Sequence, residues 1–336
     1  MGSPSLLLPR MLTELILVTL PAASALRLPR RDALCLSRRD AITLLGAGTA
    51  STAVGLPASA AAAPPSVRDA IEGLRDGGAK RIYDDKLASA RSYVTRGYFT
   101  RETSDVEYPS WFAGSWKTTS TLETVLAPAG AELFTPGRNG TEALRRARLE
   151  VGQPLQYESR WRPNQGGKEG TYVVDRGFNV AAISAASMGT KAVQNVQENG
   201  PDRVELVLKP DAAGRVVYRA ELDVVARHTE PNPEPQRAFD CVETVRQTVL
   251  LVPGDDYKGP TRPPMVKEVE TLCTYERLPN GAIAGLQRTA TFLVPDAAYT
   301  NGAPLAEQQA LLLARGPDGL QTALDVRIYS LLYEKA

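Results

Sequence analysis

The side chains best placed to do chemistry lie on the stretch Ala238–Val252. Alternation puts Phe239, Cys241, Glu243, Val245, Gln247, Val249 and Leu251 on one face of a strand. If that face is inward, a carboxylate and an amide project into an apolar interior. A buried Glu243 then needs a cation, or its proton affinity rises and it becomes a general acid. Arg288 shares a face with Leu286, Phe292 and Val294, which makes it the expected partner. An internal ion pair is the favoured reading and acid catalysis the alternative. Tyr157 and Trp161 share one face of a second alternating stretch and join the candidate ligand-binding set.

Other reactive groups point away from familiar chemistries. His228 is the one histidine of the chain and precedes a proline-bearing loop, 231–235. With so few His and Cys side chains a zinc site is not expected, nor is a Ser-His-Asp relay or a cofactor. Asp175 and Arg176 follow a short apolar strand and are expected to anchor a loop, with Asn179 capping a helix over Val180–Met188. Cys241 and Cys273 occupy similar mid-strand positions in consecutive long strands. They are expected as a disulfide, or as two reduced core thiols.

The elements that position these groups are mostly strands. Gln153–Arg162 alternates cleanly, and Gly114–Val125, Thr171–Val174, Lys191–Glu198, Arg203–Lys209 and Gly214–His228 follow. Ala238–Val252, Met265–Arg277, Ala282–Val294 and Gln321–Glu334 complete the set, with a helix expected over Pro304–Arg315. No βαβ rhythm is present. The pattern predicts an all-β protein, an antiparallel up-and-down meander closed into a barrel to avoid open edges, with short helices.

Residues 1–63 read as sorting signals. The apolar run Leu15–Leu20 ends in Ala23-Ser24-Ala25; Arg38-Arg39 precedes a second apolar run ending in Ala58-Ser59-Ala60. The first junction resembles the signal-to-transit boundary of algae with secondary plastids. Ser37-Arg38-Arg39-Asp40 is similar to a twin-arginine signal. Together they imply delivery to the chloroplast thylakoid lumen. The expected organisation is a targeting region at 1–63, a partly helical lead-in at 64–107 and a barrel at 108–336. Residues 1–63 hold six of the 39 basic and three of the 38 acidic side chains, so the rest carries 33 against 35, a net of −2. That balance argues against nucleic acid as an obligatory partner. No transmembrane segment is expected after residue 63.

Gly114-Ser115-Trp116 resembles the opening signature of lipocalin and calycin barrels. The longer set is similar to a cyanobacterial, algal and plant chloroplast family of unknown function with a lipocalin-like barrel. It comprises Tyr108 to Trp116, Asp175 to Asn179, Val269-Glu270-Thr271 and Leu293-Val294-Pro295. The resemblance implies a late-strand arginine, Arg288 or Arg327, packed on Trp116. It assigns no activity and no catalytic residue. The leading expectation is a non-enzymatic barrel holding a small apolar ligand (a pigment, quinone or lipid) contacted by Trp116, Tyr157, Trp161, Glu243, Gln247 and Arg288. The alternatives are an assembly factor for a thylakoid protein complex and an isoprenoid- or pigment-modifying enzyme.

Overall fold

The computed structural model describes residues 105–134, 140–209, 216–230, 232, 234–253, 264–293 and 322–336. The sorting region, the expected lead-in helices and the helix expected at 304–315 lie outside these residues.

Among the described residues ten strands form one antiparallel sheet. They are β1 (Gly114–Leu126), β2 (Pro154–Pro163), β3 (Tyr172–Val174), β4 (Val193–Glu198), β5 (Arg203–Leu208), β6 (Val216–Glu230), β7 (Ala238–Pro253), β8 (Met265–Arg277), β9 (Ile283–Leu293) and β10 (Asp325–Lys335). Among the described residues two α-helices accompany them, α1 (Gly140–Leu149) and α2 (Arg176–Met188). The sheet order is β3-β2-β1-β10-β9-β8-β7-β6-β5-β4. Chain neighbours are therefore sheet neighbours except for β3 and β4, which form the two edges, and β10 returns onto β1. The cyclic order of an up-and-down barrel is complete except between β3 and β4, where the ladder is open.

Helix α2 occupies that seam. Its contacts run to β2, β4 and β5. Asn179 reaches β2, where Oδ1 accepts from Arg160 N at 2.7 Å and Nδ2 donates to Arg160 O at 3.2 Å. The amide thus continues the edge pairing that β3 leaves off. Gly177 N donates to Glu198 Oε2 of β4 at 3.1 Å, and Arg162 of β2 pairs with the same Glu198. Ile183 packs on Leu155 and Tyr157, while Val180 packs on the apolar face of β5 and β6. An open edge is a pairing hazard; here helical packing and side-chain bonds cover it. Asn179 does not cap the helix, contrary to expectation. Asp175 is the N-cap and accepts from Phe178 N at 3.3 Å, because the helix begins at Arg176, four residues before Val180.

Burial separates the faces of the sheet. On β2 only Leu155, Tyr157, Ser159 and Trp161 lie inward and buried, the expected alternation. Every residue from Ala282 to Phe292 is buried, so β9 is covered on both faces. One end of the inner face is filled by aromatics. Phe112 lies 4.9 Å from Trp161 and 5.1 Å from Tyr275, and Trp161 lies 5.6 Å from Tyr333, ring centre to ring centre. Gly285 makes room for this layer, since a Cβ there would stand 2.9 Å from Tyr275 Cδ1. Val106, before the expected boundary at 108, is also buried in this cluster.

Candidate functional site

Two groups of polar side chains lie on the concave face. The first is an ion cluster at the start of α2. Arg176 donates to both carboxylate oxygens of Glu243, at 2.8 and 2.6 Å, and to Asp105 Oδ1 at 2.5 Å. Arg227 of β6 donates to Asp202 Oδ1 at 2.5 Å and stands 3.7 Å from Asp105 and 3.8 Å from Glu243. The side chains of Arg176 and Arg227 are 5% and 0% exposed, so water screens little of this. Burial alone disfavours the Arg176 charge, but the carboxylates of Glu243 and Asp105 outweigh it and raise its pKa above the ordinary arginine value. The bidentate geometry is that of a strong charge-assisted pair.

This cluster corrects the expected partnership. Arg288 does not meet Glu243. Its register partners are Leu272 and Ile328, on the opposite face of the sheet from Glu243 and Thr271, and there it donates to Glu270 at 2.8 Å. The apolar neighbours that suggested an inward face belong to a strand buried on both sides. Arg288 thus leaves the interior ligand-binding set. Nor does an arginine pack on Trp116. That indole is fully buried and donates to Phe112 O at 2.7 Å, and the group over its ring is Lys335 Nζ, 3.7 Å from the centroid. Register explains it: Trp116 opposes Lys335, whereas Arg327 opposes Val125 near the far end of β1. Arg327 pairs instead with Asp325, at about 3 Å, and lies over Phe134.

The second group is neutral. Gln287, Thr289 and Thr291 take successive inward positions on β9. Neither atom of the Gln287 amide has a hydrogen-bond partner, and the same holds for the Thr289 and Thr291 hydroxyls. Gln247 is in the same position on β7, as are the Tyr157 hydroxyl and Ser120 Oγ. All six side chains are at least nine-tenths buried, Gln247 and Gln287 completely. Gln287 stands opposite Cys273 on one side and Tyr329 on the other. Tyr157 meets that same pair across the interior: burial, then Cys273 and Tyr329, push its phenol pKa well above the usual value. Tyr157 and Gln287 therefore share Cys273 and Tyr329 as neighbours. Trp161 sits in the aromatic layer, and its Nε1 also has no partner.

Buried polar atoms in folded proteins almost always find a partner, and each one left unmade costs about 1–3 kcal/mol. The sequence singled out Tyr157, Trp161, Gln247 and Glu243, and the fold places all four on the concave face. Sequence reading missed Gln287, Thr289 and Thr291 because it assigned the inner face of β9 to the other parity. It missed Arg227 because a β-bulge between Val224 and Ala226 inverts the alternation.

Cys241 and Cys273 oppose each other in register on β7 and β8. Of the two expected states the structure holds the second: both are free, buried thiols. Cys241 Sγ lies 3.8 Å from the Tyr108 hydroxyl, and its pKa is raised well above that of an ordinary thiol by its hydrogen bond with Cys273 and by burial. Since both thiols are buried, native protein at pH 8 should leave the peptides bearing Cys241 and Cys273 unlabelled by a maleimide. Both should label after unfolding in denaturant without reductant. Labelling only after reduction would show a bridge instead.

Among the described residues no group of three His, Cys, Asp or Glu side chains is placed to hold a metal, and no helix is long and apolar enough to cross a membrane. No curated protein and no solved structure matches the chain. The model of a domain of unknown function, DUF6816, matches residues 102–310, and a match over more than half of the sequence places this chain in that family.

Proposed function

We propose that this protein is a thylakoid-lumen barrel that binds a small, mainly apolar ligand and does not transform it. The observation that carries the reading is the set of buried, unpartnered polar groups around Gln287 and Tyr157. Ligand pockets combine an apolar lining with a few placed polar groups. Here Val204, Leu206, Leu222 and Val245 form an apolar layer on the same concave face, partly covered by Val180 of α2. The lipocalin-like reading of the fold supports the same role, with Trp116 closing one end. Against Glu243 as a general acid or base stands its pairing: both of its oxygens accept from Arg176. The test is extraction of the folded, purified protein with organic solvent, followed by mass spectrometry. About one equivalent of one apolar molecule is expected. Recovery of no such molecule from protein isolated from its native membrane compartment would count against the reading.

The location rests on the twin arginines Arg38-Arg39 and the site Ala58-Ser59-Ala60. N-terminal sequencing of the protein from isolated thylakoids should find a mature end close to Ala61. An end near Leu26 would leave the second signal in place and defeat the lumenal assignment.

A further inference from the structure

We infer that the interior ligand is a neutral molecule carrying carbonyl or hydroxyl oxygens, and not a carboxylate or phosphate. The inference rests on the ligand-binding reading above and names the chemical class that site selects. The argument is one of charge balance. Among the described residues, each inward-facing arginine already faces carboxylates. Arg176 is held by Glu243 and Asp105, Arg227 by Asp202, and Arg327 by Asp325. Lys267, inward on β8 opposite Gln247, is engaged as well. Around Arg176 and Arg227 three carboxylates face two guanidinium groups, so that end of the interior repels an anion. An anionic headgroup brought inside would be buried without a cation, the costliest arrangement a protein interior can hold.

The groups that remain are amides and hydroxyls. A glutamine amide offers a carbonyl acceptor and an NH2 donor, and hydroxyls of Thr and Tyr donate or accept as the partner requires. Such groups suit ketone, quinone, ester and alcohol oxygens. Their layout adds a shape. Gln287, Thr289 and Thr291 run along one strand face over five residues, about 13 Å for four rises of ~3.3 Å. The apolar surface of β5, β6 and β7 lies on the same concave side. A ligand with an extended apolar body and oxygens disposed along one edge, or at one end near Tyr157 and Gln287, satisfies both surfaces.

The test uses the full folded chain, stripped of copurified molecules, and three probes of matched length: hexadecanol, a long-chain methyl ketone and hexadecanoate at pH 8. Tryptophan fluorescence reports binding, since Trp161 borders the site. The alcohol or the ketone should bind at least about tenfold more tightly than hexadecanoate. Thr289→Val, which keeps side-chain shape, and Gln287→Leu should each weaken the neutral probe by about tenfold. Should either variant fail to fold, the comparison of probes on the unaltered chain still decides. Equal or tighter binding of hexadecanoate overturns the neutral class while leaving an internal ligand site in place. Failure of all three probes, with nothing extractable from the isolated protein, overturns the ligand-binding reading and this inference together.

Discussion

Arg176→Met should destabilise the fold by about 3–5 kcal/mol, the usual penalty for stripping the cation from a buried pair. The guanidinium touches Glu243 and Asp105, whose side chains are 12% and 10% exposed, and its loss leaves both facing only the more distant Arg227. The effect is structural as well as electrostatic. Arg176 opens α2, and the cluster fixes that helix in the seam against the segment before β1 and against β7. Urea unfolding should therefore show a much lower midpoint. A double variant, Arg176→Met with Glu243→Leu, should lose less than the sum of the two single changes, because neither leaves the other's partner charged and alone. The contrast is Arg145→Ala on α1, which removes a solvent-facing pair with Glu142 and should barely move the midpoint. Equal effects for Arg176 and Arg145 would mean that the cluster is solvated in solution.

Much of the architecture is legible in the sequence because alternation is a strong signal wherever one face meets solvent. Gln153–Arg162 was expected as a strand and forms β2 at Pro154–Pro163; Met265–Arg277 forms β8 with the same limits. The failures share a cause. On β9, where both faces are buried, Leu286 and Phe292 look as inward as Gln287 and Thr289 look outward, and the assignment inverts. On β6 the bulge after Val224 carries Arg227 to the interior, although strict alternation places it outside. Neither covering elements nor bulges leave a mark on a period-two pattern. Helix α1 escaped notice although Glu142 and Arg146 stand four apart and pair at 2.8 Å, a spacing that supports a helix. The open seam was not legible either, since the strand count alone suggests full closure and only the contacts of Asn179 and Glu198 show how a helix substitutes for the missing ladder.

The second large effect concerns Gln287. Replacing it with leucine removes two buried polar atoms that have no protein partner, at nearly unchanged volume. In protein stripped of bound molecules, Gln287→Leu should raise stability by about 1–3 kcal/mol, the desolvation penalty no longer incurred. In protein as isolated, that advantage should shrink or vanish. A ligand present at 100 times the unaltered chain's dissociation constant stabilises that chain by about 2.7 kcal/mol, and a variant that binds tenfold more weakly loses about 1.3 kcal/mol of that gain. An advantage that depends on the preparation is characteristic of a residue kept for a ligand at the expense of the empty fold.

The most direct measurement is thus a pair of denaturant unfolding curves for the unaltered chain and Gln287→Leu, each recorded as isolated and after exhaustive solvent stripping. A variant that is more stable when stripped, and that loses about 1.3 kcal/mol of that advantage when a ligand is present at 100 times the dissociation constant, is the predicted result. A Gln287→Leu chain that is destabilised equally in both preparations would show that the amide serves the fold, and would contradict an interior built around a ligand.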